Sequence, residues 1–345
     1  MKRLAPLLFV LGLLVLAALV YYAGATGIGE ALDDLGWDGF VIICLIHVPV
    51  LALLGSAWWN VARDINGARA WKFIWARYIR ESAAEVLPFS QVGGVVIGAR
   101  ALTLSGMRML PVAVSMLADL VIELAAKLPY IVVGLVLLFA TVPKSGVIGP
   151  ATLGVLAVGA AVALIVVYHH RIKGWLEELA IRMAERWPAL GLGHGAQIRP
   201  AFDQLFARDW RIVMSWSLHL LSWGVGAIET WIMLRFMGAP VTVLEAVVID
   251  SLVAAARTFG FAIPAAIGVQ EGGYVLICGV FGIDPAVAIA LSLVRRAREF
   301  ALGLPGLGVW QAIEGKRAFA ADQDVPPSHP DTLNRVTWRS PHERD

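Results

Sequence analysis

Asp119, Glu123 and Lys127 lie within the apolar stretch 109–142, four residues apart. In a helix that spacing puts all three on one face. A second cluster, Arg295, Arg296, Arg298 and Glu299, lies within the apolar stretch 285–311. Glu271 stands between Gln270 and the pair Gly272-Gly273. A charge carried deep into hydrocarbon costs a few kcal/mol or more, so each of these groups must face protein, a partner or water. Two chemistries fit. The charges form a salt-bridge network that sets helix register, or they hold an anionic head group or carry protons. Arginine suits a phosphate because its fork donates bidentate bonds and keeps its charge. An acidic stripe in one stretch and a basic cluster in the other invite pairing across the interface between them. Glu271 reads as a proton carrier or substrate contact, or as an acceptor for neighbouring half-helix ends.

Around these stand weaker candidates. Glu81, Glu85, Gln91 and Arg100, with Arg80 adjacent, surround a Pro/Gly-rich segment at 88–98. Asp250 and Arg257 lie seven apart, on one helical face, where packing alone is a sufficient reading. Glu229 and His219 sit in another apolar run; Glu229 reads equally as reaching the outer interface. No Walker loop, dinucleotide fingerprint, HExxH or CxxC occurs, which excludes ATP-driven transport within this chain. No metal and no cofactor is expected. Cys44 and Cys278 lie in apolar stretches and read as small buried hydrophobes.

The elements that must position these residues are membrane helices. The 345 residues are 59% hydrophobic and only 16% charged, too little charge to coat a soluble domain of this size. Apolar runs over about 4–22, 39–60, 109–142, 149–168, 210–237 and 285–311 predict roughly six spans. The start Met1-Lys2-Arg3 followed by Leu7–Tyr22 resembles a signal peptide, with Ala23-Gly24-Ala25 as the one cleavage site. It reads rather as a first span. A short acidic connector with Glu30, Asp33, Asp34 and Asp38 follows, then a second span ending at an interfacial Trp58-Trp59. The basic connector with Arg63, Arg69, Lys72, Arg77 and Arg80 predicts that both termini are cytoplasmic. The net charge of +2 implies no nucleic-acid partner. Residues 169–209 form a charged connector in which Ile172, Trp175, Leu176, Leu179 and Met183 make an apolar stripe. It is a helix on the cytoplasmic leaflet, or a solvated linker. Residues 316–345 read as a disordered tail, leaving 1–315 as the membrane domain.

Two segments are too broken to span. One holds Pro88, Gly93, Gly94 and Gly98, the other Pro264, Gly268, Gly272 and Gly273. Asp119 and Glu123 lie 31 and 35 residues after Pro88; Arg295 and Glu299 lie 31 and 35 after Pro264. The expected fold is therefore all-α and polytopic, with two re-entrant hairpins. The units, about 72–142 and 243–311, are related as an inverted repeat, as in secondary transporters. Irregular backbone at that depth survives only inside protein or beside a wet cavity.

The stretch Leu87-Pro88-Phe89-Ser90-Gln91-Val92-Gly93-Gly94, with Arg100 downstream, resembles one hallmark of the lysylphosphatidylglycerol synthase transmembrane, or flippase-like, family. Pro264 and Gly268-Val269-Gln270-Glu271-Gly272-Gly273 resemble a second, and Leu291–Glu299 a third. The wording is most similar to the hopanoid-biosynthesis-associated branch, and the likeness covers about 1–315. It implies a bacterial inner-membrane protein that moves an amphipathic lipid between leaflets. The head group or skeleton would be anionic or hopanoid-type, with Arg100, Glu271, Arg295, Arg298 and Glu299 as the carried-over positions. No aminoacyl-transfer domain follows residue 315, so synthesis of lysyl-phosphatidylglycerol by this chain is not expected. Membrane lipids are the expected partners, with a lipid-biosynthesis complex or a second copy as further ones. A membrane-embedded enzyme acting on a lipid head group and a non-catalytic scaffold remain as rival readings.

Overall fold

Among the described residues the apolar runs become helices, and no other regular element occurs there. The computed structural model describes residues 4–86, 90–142, 171, 174–182, 185, 195–206, 209–260 and 263–323. In chain order the helices are α1 (Leu4–Ala23), α2 (Ala25–Ala62), α3 (Ala70–Val86), α4 (Ser90–Leu104) and α5 (Met109–Thr141). They continue with α6 (Gly195–Phe206), α7 (Asp209–Phe236), α8 (Val243–Phe259), α9 (Val269–Val280) and α10 (Pro285–Gln323). Residues 174–182 are also helical. Met1–Leu307 form one compact unit, and a second begins at Gly308.

Two helices, α2 and α5, are long and apolar enough to cross a bilayer by length and composition. Polarity is distributed outward-apolar. Val41, Leu45 and Val48 on α2, Val133 and Val136 on α5, and Leu276 on α9 are exposed, while Arg77, Asp119, Glu229, Glu271 and Arg298 are buried. Water would oppose that arrangement and hydrocarbon favours it.

The two expected repeat units have the same order of elements. Each has a 17-residue helix (α3, α8), a shorter one (α4, α9), then a long helix carrying an internal proline, Pro129 in α5 and Pro305 in α10. At 1.5 Å per residue, α3 and α8 are about 26 Å long. The 15 residues of α4 make about 22 Å and the 12 of α9 about 18 Å, all less than the ~30 Å of a hydrocarbon core. α3 packs on α4 and α8 on α9, while α5 packs on α7 and α8, and α2 on α3 and α7. Small residues set the closest approaches. A Cβ on Gly94 would lie 2.7 Å from the Arg80 carbonyl oxygen, and one on Gly98 would lie 2.8 Å from Arg80 Cβ. Gly55 likewise brings α2 onto the backbone of α3 at Ile74.

Several expectations are corrected. The acidic connector is helical: Ile28, Ala31 and Leu35 recur at helical spacing and are buried, while Glu30, Asp33, Asp34 and Asp38 stay exposed. The chain breaks its helix at Gly36 instead, where φ is 59° and ψ 179°. Trp58 is not interfacial. It is fully buried, edge-on to Phe73, with its indole N–H donating to Ser115 Oγ at 3.1 Å. In the connector, Leu176 and Ala180 pack against Val114, Ile198 and Phe202, while Trp175 is exposed. Only part of the apolar stripe is therefore left for a leaflet. α10 runs to Gln323, so helix extends into the segment expected to be disordered. The expected span 149–168, Pro88 and residues 324–345 lie outside the described residues.

Gly94→Val should lower the thermal stability of purified protein, by about 1–3 kcal/mol if α4 must shift. Gly29→Ala, where an added Cβ meets nothing within 4 Å, serves as the neutral control. Equal melting temperatures for the two variants would contradict the close α3–α4 contact.

Candidate functional site

Within Met1–Leu307, walled by helices of both expected repeat units, lies a partly open cavity of about 650 Å³. It is bounded by α2, α3, α5, α7, α8, α10 and the link before α9. Its ionisable lining is balanced. Arg77, Arg80, Lys127, Arg257, Arg295 and Arg298 stand with Glu81, Glu85, Glu123, Glu229, Asp250 and Glu299, and His47 is added. The volume is within the range of ligand sites, but the density of charge is far above their usual mostly apolar lining.

In the first unit, α3 and α5 are joined by a buried network. Arg77 Nη1 is 3.3 Å from Asp119 Oδ2 and 2.9 Å from Glu123 Oε2, and Arg77 Nη2 is 2.8 Å from Glu81 Oε1. Arg80 reaches the same carboxylates at 3.2 and 3.1 Å. From α7, His219 Nε2 hydrogen-bonds the other oxygen of Asp119 at 3.0 Å. Asp119 and Glu123 thus each accept several bonds, which is what makes burial of an ion tolerable.

In the second unit, α8 and α10 are joined the same way with the signs exchanged. Arg295 of α10 pairs with Asp250 of α8 at 2.6 Å and contacts Tyr274 of α9. Tyr130 and Thr230 donate to the two oxygens of Asp250 at 2.8 and 3.0 Å. The positions correspond. Arg77 is the eighth residue of α3 counted from Ala70, and Asp250 the eighth of α8 counted from Val243. Asp119 is the eleventh of α5 counted from Met109, and Arg295 the eleventh of α10 counted from Pro285. Glu123 and Glu299 are both fifteenth. One contact is made twice, as Arg–Asp and as Asp–Arg.

A third network ties the units together. Arg257 of α8 binds both oxygens of Glu85 of α3 at 3.1 Å and approaches Glu299 at 3.5 Å. Arg298 contacts Glu229 of α7 and lies 3.8 Å from Glu299. His47 of α2 hydrogen-bonds Glu229 at 3.0 Å.

Of the residues singled out in the sequence, Glu123, Lys127, Arg295, Arg298 and Glu299 line the cavity, as do the weaker candidates Arg80, Glu81, Glu85, Glu229, Asp250 and Arg257. Asp119 is fully buried behind Arg77 and Arg80. Arg100 is exposed on α4 and does not line the cavity. Glu271 is not on the cavity wall either. It is the third residue of α9 and reaches back to accept from the Gly268 N–H at 2.7 Å, while Ser292 and Arg296 Nε bind its other oxygen at 2.8 Å. This is half of a capping box, the acceptor reading of that carboxylate. Gly268 has φ 82°, a conformation open to glycine, and abuts Gly12 and Val15 of α1. Gly273 packs on Ala256 and Val253 of α8, and Gly94 on α3, whereas Gly272 meets nothing within 4 Å. Gly93 lies in α4, and Pro264 opens a three-residue 3₁₀ turn whose other two residues, Ala265 and Ala266, have φ 51° and 47°.

The expected pairing of the acidic stripe with the basic cluster across the units is corrected. Asp119 and Glu123 pair with Arg77 and Arg80 of their own unit, whose long side chains reach from α3 to α5. Asp250 and Arg257 do not pair with each other but with Arg295 and Glu85. Arg77 reads in sequence as a connector charge and Arg80 only as a neighbour of Glu81 and Glu85; their spacing relative to those two carboxylates within one helix is the signal that places them inside. Among the described residues no cluster of His, Cys, Asp and Glu has metal-binding geometry.

Among the described residues the chain is all-helical, with an apolar exterior and a charged internal cavity, which is the make-up of a membrane protein. The sequence profile described as lysylphosphatidylglycerol synthase TM region matches residues 9–306, and the chain belongs to that family. No curated protein and no solved structure matched the chain.

Removing one member of the Asp250–Arg295 pair, as in Asp250→Leu, should cost about 3–5 kcal/mol by leaving a buried charge unpaired. The double variant Asp250→Leu/Arg295→Leu should be more stable than either single one. A thermal-unfolding cycle reads the coupling, and strictly additive losses would contradict a direct pair.

Proposed function

We propose that this protein is a lipid translocase that moves an amphipathic lipid between the leaflets of a bacterial inner membrane, with both termini cytoplasmic. The observation that carries the reading is the charged cavity between two units inside an apolar shell. Its walls come from the first helix of each unit, α3 and α8, and from both long helices, α5 and α10. Such a cavity offers a polar route to a head group while the lipid tail stays in hydrocarbon.

Two features support the arrangement as an inverted repeat with re-entrant hairpins. α3–α4 and α8–α9 are each too short to cross, and the repeated ion pair stands at matching positions with exchanged sign. Inverted repeats let one unit rock against the other around a fixed site. The ion pair Arg257–Glu85 links them, as do the Tyr130–Asp250 and Lys127–Thr258 bonds, and such rocking would have to remake these contacts. The cargo is a lipid with an anionic head group or a hopanoid-type lipid, and the chain acts as a transporter without chemistry of its own.

The test is leaflet exchange of labelled phospholipid, polyprenyl phosphate and hopanoid in proteoliposomes, with lipid products assayed alongside. Wild type should accelerate exchange of at least one of these without altering it chemically. Ala254→Trp fills the cavity without removing a charge, and should slow exchange about tenfold, the equivalent of ~1.4 kcal/mol of barrier. Exchange equal to that of empty liposomes for all three lipids would end the translocase reading. A modified lipid product would replace it with an enzyme.

A further inference from the structure

Nearly every cation on the cavity wall is matched to a carboxylate; Lys127 of α5 is not. Among the described residues it makes no ion pair. Its Nζ donates to Thr258 Oγ1 at 3.3 Å and stands 4.7 Å from the ring centre of Trp223 on α7. Tyr130, one turn along α5, stacks on the same indole with ring centres 5.8 Å apart and planes 24° apart. Tyr130 is itself fixed by its bond to Asp250. Trp223 is thus clasped by Lys127 and Tyr130 from one helix. Its Nε1 is buried without a hydrogen-bond partner among the described residues.

Lysine ammonium and indole N–H are donors only. Among the described residues, these two groups hold one of their four hydrogens on a protein acceptor. A buried donor left without an acceptor costs about 1–3 kcal/mol, so such groups call for an acceptor from a ligand. The repeat adds a second observation. Asp119 and Glu123 have counterparts in Arg295 and Glu299, but the next turn of α5 carries Lys127, where α10 has Gly303, both nineteenth in their helices. The lysine is not part of the repeated ionic frame.

Charge elsewhere on the wall narrows the position further. Arg77 and Arg80 serve three carboxylates, Glu81, Asp119 and Glu123. Arg257 and Arg298 serve three more, Glu85, Glu229 and Glu299. These arginines are held by carboxylates of their own, which leaves Lys127 as the cavity cation without an ion pair among the described residues.

We propose that Lys127, with the indole N–H of Trp223, seats the oxyanion of a lipid head group, a phosphate monoester or diester, within the cavity. The lipid source of that oxyanion rests on the translocase reading; the seat itself does not. A lysine suits cargo in transit, because its compact charge and three rotatable donors follow a phosphate without demanding one fixed fork geometry.

The test is equilibrium binding of phosphatidylglycerol, and of diacylglycerol with the same chains, to the full-length protein in detergent. Lys127→Gln should weaken phosphatidylglycerol binding about tenfold, as loss of one charge-assisted contact would. Binding of diacylglycerol should stay unchanged. Lys127→Arg should restore most of the loss, and Trp223→Phe, which keeps a ring but drops the N–H, should weaken phosphatidylglycerol alone by a few-fold. Millimolar inorganic phosphate should not displace the lipid; displacement would make free phosphate the ligand and overturn the lipid assignment. Unchanged phosphatidylglycerol affinity in both Lys127→Gln and Trp223→Phe would overturn the seat. Lys127-dependent binding in a protein that exchanges no lipid would remove the translocase reading and leave the seat standing.

Discussion

A charge cannot be left alone at low dielectric, and that single constraint organises this protein. Arg77 and Arg298 are almost wholly buried, and Asp119 and Glu229 wholly so. Each pairs with groups on a neighbouring helix, so side-chain electrostatics dictate which helices may adjoin and in what register. Desolvation offsets much of the attraction, so these pairs contribute less to net stability than to uniqueness of packing. A helix sliding by one turn would strand several ions at once.

Small residues let the ionic constraint be met. Gly94 and Gly98 bring α4 against the backbone of α3, and Gly55 brings α2 against it from another side. With hydrocarbon outside, helix association gains little from the hydrophobic effect and draws on close van der Waals contact and interhelical hydrogen bonds. The short helices α4 and α9 pack behind α3 and α8, whose charged faces border the cavity. The exchange of sign between Arg77–Asp119 and Asp250–Arg295 keeps one geometry in both units while varying its chemistry. Lys127 departs from that frame.

Much of the site was legible in the sequence in kind but not in partnership. Glu123, Arg295, Arg298 and Glu299 stood out because ionisable residues in apolar runs are expensive, and all four line the cavity. Arg77 did not stand out and Arg80 did so only beside Glu81 and Glu85, since α3 carries enough charge to read as a connector. Arg100 stood out through a motif and faces outward. Glu271 stood out for the same reason and caps its own helix through the Gly268 N–H, a local bond that its spacing from the glycine already permitted.

Composition and periodicity by themselves determined the helical class, the membrane setting, the order of elements in the two units and the presence of buried ions. Those follow from local rules: apolar run length, proline and glycine positions, and the cost of charge in lipid. Which charge meets which, that the acidic stretch before Gly36 is helical, and that a cavity opens between α3 and α8 were decided by the tertiary structure alone. Ion pairs and cavities depend on distances between helices far apart in the chain, and one-dimensional spacing holds no information about those until the helices have packed.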